Sequence, residues 1–244
     1  MAQFSGSGPA TQSRGLTGLL LFFLLTFSIP VKSQVLIALL FGDKLNSDKL
    51  EFGLLGGPNL TSISNSNANG KVGLGLGLYF NIKLSDNWYF HPEALPKSPF
   101  GGKDIPVYAL NDPTLDTAFK SGNIIRSISY ISLPLLFRYR IKGLLFAEAG
   151  PQLSLRTKVK DVFTVGAAGG ELEFVKEVEA DYTRFDFGGV LGLVMKLKRD
   201  KGMGIGIRYY YGLIDVMKTG TGSQQNDGLL VYVSIPVGGS KKTK

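Results

Sequence analysis

Residues 72–84 read VGLGLGLYFNIKL, and their period is two. Val72, Leu74, Leu76, Leu78, Phe80, Ile82 and Leu84 fall on one side of an extended chain, while Gly73, Gly75, Gly77, Tyr79, Asn81 and Lys83 fall on the other. A helix, repeating every 3.6 residues or so, would scatter those leucines round its circumference. Strands in globular proteins average about 5–6 residues, whereas a tilted strand crossing a hydrocarbon layer needs about 9–11. An alternation as long as 72–84 therefore suits a membrane crossing, with one greasy face and one face of small residues.

The same pattern extends in both directions, at about 50–60, 88–96, 129–141, 144–155, 183–198, 202–213 and 229–237. Ile131, Leu133, Leu135, Phe137 and Tyr139 alternate with Ser132, Arg138 and Arg140, and Ile205, Ile207, Tyr209 and Tyr211 alternate with Gly204, Gly206, Arg208 and Tyr210. The links alternate too. Residues 85–87, 142–143 and 199–201 are tight turns, whereas 61–71, 97–128, 156–182 and 214–228 are long. Short turns at one end and long loops at the other mark membrane barrels, the long loops facing outward. Hydrocarbon offers an open sheet edge no hydrogen-bond partner, so the sheet must close. The expectation is an all-β protein, a closed eight-stranded antiparallel up-and-down transmembrane β-barrel.

A soluble barrel also alternates, with its apolar side chains inward. Its exterior would be rich in Lys, Glu, Ser and Thr, whereas the polar face here is rich in glycine, of which the chain has 32. Aromatics gather near strand ends, at Trp88-Tyr89-Phe90 and Tyr209-Tyr210-Tyr211, as interfacial girdles do. Mean hydropathy is only +0.12, too low for a bundle of membrane helices.

At the N-terminus, Arg14 precedes the apolar run Leu16–Ile29, followed by Pro30, Val31, Lys32 and Ser33. That order fits a secretory signal peptide over 1–33, cleaved before Gln34, with the barrel domain over 34–244. The run is short of the roughly 20 apolar residues that span a bilayer. The destination is then the outer membrane. Of the net charge of +8, taking away Arg14 and Lys32 leaves +6, and the terminal Lys241, Lys242 and Lys244 account for half of that. No basic stripe remains to bind nucleic acid. With no cysteine, a disulfide framework and thiolate metal sites are excluded.

The runs KLEFGLLGGPNLTSIS (49–64), GLGLGLYFNIKLSDNWYFHPE (73–93), YISLPLLFRYR (130–140), LFAEAGPQLS (145–154) and GIRYYYGLIDV (206–216) resemble the outer-membrane β-barrel proteins of Bacteroidota, grouped as the porin family or PorT-like. The resemblance covers about 34–237 and implies an eight-stranded barrel shaped like OmpA and OmpX, without implying an activity. Two features depart from it. Pro96 stands where the third strand would carry an aromatic, so that strand should stop or bulge there. The chain also ends in SIPVGGSKKTK rather than on an aromatic.

Parity sends Glu51, Lys83, Glu93, Arg138, Arg140, Glu148, Arg184, Asp186, Lys196 and Arg208 to the inner face. Such a set is either an ion path or a plug of paired charges. With a lumen only wide enough for side chains, the plug is expected, and a narrow porin-like channel for small solutes is the alternative. His91, the single histidine, shares parity with Glu93, so it points inward, away from where a lipid-facing hydrolase would need it. Gly73-x-Gly75-x-Gly77 is not a nucleotide loop, because no helix follows it. No catalytic, cofactor or metal residues are expected, and the chain is read as non-enzymatic, contributing to envelope structure or surface interaction.

Outer-membrane lipid should surround the barrel. A surface partner would meet the long segments 97–123 or 156–182. In the latter, Arg156, Lys158 and Lys160 rise at even positions, and Glu171, Glu173, Glu177, Glu179 and Asp181 descend at odd ones. A hairpin with an odd register sum would set them face to face.

Overall fold

The computed structural model describes Ser47 and residues 49–167, 170–198, 202–218 and 223–238. The signal peptide, its cleavage point, nearly all of 35–49, the turn at 199–201 and the terminal lysines lie outside the described residues.

The described chain forms one antiparallel sheet of nine strands: β1 (Leu50–Ile63), β2 (Asn69–Lys83), β3 (Trp88–Pro106), β4 (Asn123–Lys142), β5 (Leu145–Ala167), β6 (Gly170–Glu177), β7 (Phe185–Lys196), β8 (Gly204–Gly212) and β9 (Asn226–Pro236). β9 returns to pair with β1, from Gly53 opposite Pro236 to Ile63 opposite Asn226, which closes the ring. β5 pairs with β4 along one edge and divides its other edge between two strands. Its first half pairs with β7, from Leu145 opposite Met195 to Leu155 opposite Phe185. Its second half pairs with β6, from Lys160 opposite Glu177 onward. The ring therefore passes from β5 directly to β7, and β6 hangs on the wall as a strand beyond the eight expected.

The apolar parity faces outward. Leu74, Leu191, Leu193, Met195, Ile205, Ile207, Val231 and Val233 are exposed, Leu191 at 68%. A soluble monomer rarely leaves so continuous an apolar band in water, and such a band is what a bilayer covers. At the short-turn end Trp88 meets Tyr139 with ring centroids 5.0 Å apart, and Phe90 meets Phe137 at 5.3 Å. Tyr209 and Tyr211 are exposed toward the other end.

Inward-facing glycines make room for tyrosines. Gly206 lies opposite Tyr232, and a Cβ on it would overlap that ring. Gly53 stands in the same relation to Tyr79.

The upper wall departs most from expectation. β3 does shift register between Leu95 and Ser98, at Pro96, but it continues to Pro106 rather than stopping. β4 starts at Asn123 and β5 ends at Ala167, so both overshoot the expected 129–141 and 144–155. β3, β4, β5 and β6 thus stand as a sheet beyond the ring at the long-loop end. Between Ser129 and Tyr130 the register against β5 also slips, at Thr157, which turns Val159, Asp161 and Phe163 inward. Segment 107–122 folds against that inner face. Its short helix α1 (Pro113–Ala118) is capped by Asp112, whose Oδ1 accepts from Thr114 N at 2.9 Å and Leu115 N at 3.2 Å. Phe119, Ile124 and Phe163, with Leu115 and Phe174 against them, make a small second core there.

Candidate functional site

Strand pleating brings a set of charged and aromatic side chains into the lumen, and ring closure decides which of them meet. Glu93 on β3 receives two hydrogen bonds from Arg208 on β8, Nη1 to Oε2 at 2.7 Å and Nη2 to Oε1 at 2.8 Å. Glu148 on β5 accepts from Arg138 Nε on β4 at 2.8 Å, and Arg208 Nε approaches its other oxygen at 3.0 Å. Tyr232 on β9 receives a bond from Arg138 Nη2 at 3.0 Å and donates to Glu148 at 3.0 Å. The Arg208 guanidinium also lies 4.1 Å from the centre of the Tyr232 ring. His91 closes the cluster, with Nε2 3.0 Å from Glu93 Oε1 and Nδ1 3.2 Å from Asn81 Oδ1. All these side chains are buried. Two acids and two guanidiniums balance, as groups removed from water must.

A second pair lies toward the short-turn end. Glu51 on β1 accepts from Lys196 on β7 at 3.1 Å and from Tyr79 at 3.2 Å. Arg140 makes no ion pair with an acid among the described residues; it donates to Tyr89 and lies 5.4 Å from the Phe146 ring centre. Lys83 is outside the network, because it pairs with Asp86 of the tight turn at 2.8 Å and is half exposed. Arg184 is exposed ahead of β7, which corrects its assignment to the inner face: β7 begins one residue later, so the strand parity does not govern it. Asp186 is buried but takes no part in the central cluster; it accepts from Asn226 Nδ2 at 2.9 Å.

Toward the long-loop end the lumen holds a cavity of about 30 Å³ lined by Asn59, Ser98, Phe100, Gln152, Arg208 and Tyr210. That is room for roughly one water. Above it, Tyr130, Val159, Val178, Tyr182, Tyr210 and Val216 pack as a buried apolar layer.

The upper wall carries its own ionic site. Arg126 grips Asp161 through two bonds, at 2.7 and 2.6 Å, and Tyr108 donates to the same carboxylate at 3.1 Å. Burial, then Asp161, raises the Tyr108 phenol above its ordinary range. On the outer side Lys160 stands opposite Glu177, the odd register sum expected, while Lys158 forms the ion pair with Glu177. That pairing raises the ammonium and lowers the carboxyl.

The family can now be placed. A model of the outer membrane protein β-barrel domain matches residues 41–218, well over half of the chain. The chain belongs to that family. Its members cross the outer membrane as β-barrels, so this barrel is a transmembrane protein of the outer membrane. Among solved structures it is similar to Ail, the attachment invasion locus protein of Yersinia pestis, at 12% identity and a TM-score of 0.40, covering 76% of this chain and 97% of Ail. It is similar to Neisserial surface protein A at 11% identity and a TM-score of 0.41, covering 75% and 96%. OprG of Pseudomonas aeruginosa is similar at 12% identity and a TM-score of 0.34, covering 78% and 95%. No curated protein matches the sequence.

Proposed function

We propose that this family member is a non-enzymatic component of the outer membrane that seals its own lumen and acts at the cell surface through the wall above the bilayer. The observation that carries the reading is the bridge from Glu93 of β3 to Arg208 of β8 and on to Glu148 of β5. Those bonds span the lumen between strands that are not neighbours in the sheet, and an ion would have to break them to pass. Glu93 and Glu148 share one guanidinium, so neither is free to serve as a general acid or nucleophile.

Outer-membrane lipid covers the apolar belt. Partners of the envelope would meet the hairpin within 156–182 or the segment 97–123. The outer edge of β6 is unpaired among the described residues, and its backbone groups suit the addition of a partner strand.

Single-channel recording in planar bilayers tests the sealed reading. Wild-type protein should give no conductance steps, and Glu148→Ala should lower unfolding resistance without creating any. Reproducible steps in the wild type would replace it with the narrow channel for small solutes.

A further inference from the structure

The free edge of the upper wall has a definite chemistry. β6 pairs with β5 in unbroken register, from Glu177 opposite Lys160 to Glu171 opposite Gly166. One pair beyond, Val178 N donates to Val159 O at 3.2 Å. An antiparallel ladder bonds every second pair. Leu172, Phe174 and Lys176 therefore turn their N–H and C=O groups toward β5, while Glu171, Glu173, Val175 and Glu177 turn theirs to the outer edge. No described residue bonds to them there.

Exposed edges are commonly blunted by a bulge, a proline, a lysine or a covering segment. β6 has neither bulge nor proline, and its one lysine, Lys176, turns inward to lie 4.8 Å from the Tyr108 ring centre. What the edge does carry is negative charge, all on its outer face. Glu177 is already paired with Lys158. Glu171 and Glu173 stand opposite Gly166 and Thr164, and neither makes an ion pair among the described residues. Val175, on the same face, and Leu172, on the inner face, are exposed.

Those side chains select what can be added. A strand laid along β6 places alternate residues beside Glu171, Glu173 and Val175 on one face and beside Leu172 and Phe174 on the other. The first face calls for cations, the second for apolar groups. A second copy of β6 does not fit. Antiparallel pairing of two such edges matches odd positions with odd positions, and the registers that overlap most set a glutamate opposite a glutamate, which is destabilising.

We propose that the outer edge of β6 is the docking site for an extended cationic segment of a partner protein, added as a further strand with lysine or arginine on its outer face and apolar side chains on its inner one. Backbone bonds hold the segment, and Glu171 and Glu173 choose it. The proposal rests on the surface-acting part of the proposed function and not on the sealed lumen, which conductance tests separately.

The test uses the full barrel in a non-ionic detergent and a fluorophore-labelled peptide matching β6 in length and alternating lysine with valine. Anisotropy should show saturable binding, and a glutamate–valine peptide should bind about tenfold more weakly or worse. Val175→Pro removes one outward N–H and leaves the β5 ladder and the ring intact. It should abolish binding while the unboiled barrel keeps its faster migration on a gel. Glu171→Lys combined with Glu173→Lys keeps every backbone group and should exchange the preference between the two peptides; it carries the test should Val175→Pro lose the hairpin. Equal binding of both peptides, an affinity untouched by Val175→Pro, or no saturable binding of either would each overturn the site. A preference for the glutamate–valine peptide that Val175→Pro abolishes would leave the surface reading standing and overturn the cationic partner. Barrel dimers that Val175→Pro dissolves would give the edge to a second copy and overturn it too.

Discussion

At the scale of the residue, the interior is organised by what glycine omits. Gly206 has no side chain, so the Tyr232 ring occupies the place its Cβ would take and the Tyr232 hydroxyl reaches Glu148. Gly206→Ala should therefore push that ring out of place and cost about 1–3 kcal/mol, as overpacking does; urea titration of the folded barrel measures it, and a second change, Tyr232→Leu, should return part of the loss by freeing the space. Glu148→Ala is the harsher change, because Arg138 and Arg208 would keep their burial and lose a shared counter-charge. Breaking a buried pair costs about 3–5 kcal/mol, read in the same titration. Which side of the wall each residue takes was legible from parity alone for Glu51, Glu93, Arg138, Glu148, Asp186, Lys196 and Arg208. Their partners were not. Glu93 and Arg208 are 115 positions apart on strands that do not pair, and only closure of the ring sets them across from each other. Arg184 and Lys83 were misplaced for a simpler reason: both stand at strand ends, where the pleat no longer dictates direction.

At the scale of the element, strand existence was readable and strand length was not. A period of two survives only while the pleat is regular, and each bulge adds a residue that inverts the parity of the rest of the strand. The slip at Pro96 hid the continuation of β3 to Pro106, and the slip at Thr157 separated Arg156 from Lys158 in facing. GELEFVKE, at 170–177, is legible as the descending limb of a hairpin from its alternating charges, but not as a strand separate from the ring, with Phe174 against Phe163 at a ring-centroid distance of 6.1 Å. The second core depends on that contact. Phe163→Ala should loosen segment 107–122 and β6 while the ring stays closed, at a local cost of about 3–5 kcal/mol. Hydrogen exchange resolved by peptide is the measurement: faster exchange confined to 105–122 and 159–177 is expected, and equal loss of protection in β8 and β9 would show that the upper wall and the ring are one cooperative unit.

At the scale of the whole molecule, the solvent decides what a substitution costs. Leu191 is 68% exposed, and in a water-soluble protein Leu191→Arg would be almost free. Facing lipid near the middle of a bilayer, an arginine costs about 2–4 kcal/mol. Folding into phospholipid vesicles, titrated with urea, should show that penalty, and a change within experimental error would remove the belt from the membrane. The intact barrel should also migrate faster on a gel before boiling than after. The continuity of β5 has a mechanical side. From Leu145 beside the tight turn to Ala167 near the hairpin tip it is one strand, bonded along one edge to β4 for almost its entire length. A pull on the tip parallel to the strands would load those bonds together in shear rather than one after another. The exposed hairpin is thus built like a tether root, and a tip-directed force would be resisted by the transmembrane sheet itself.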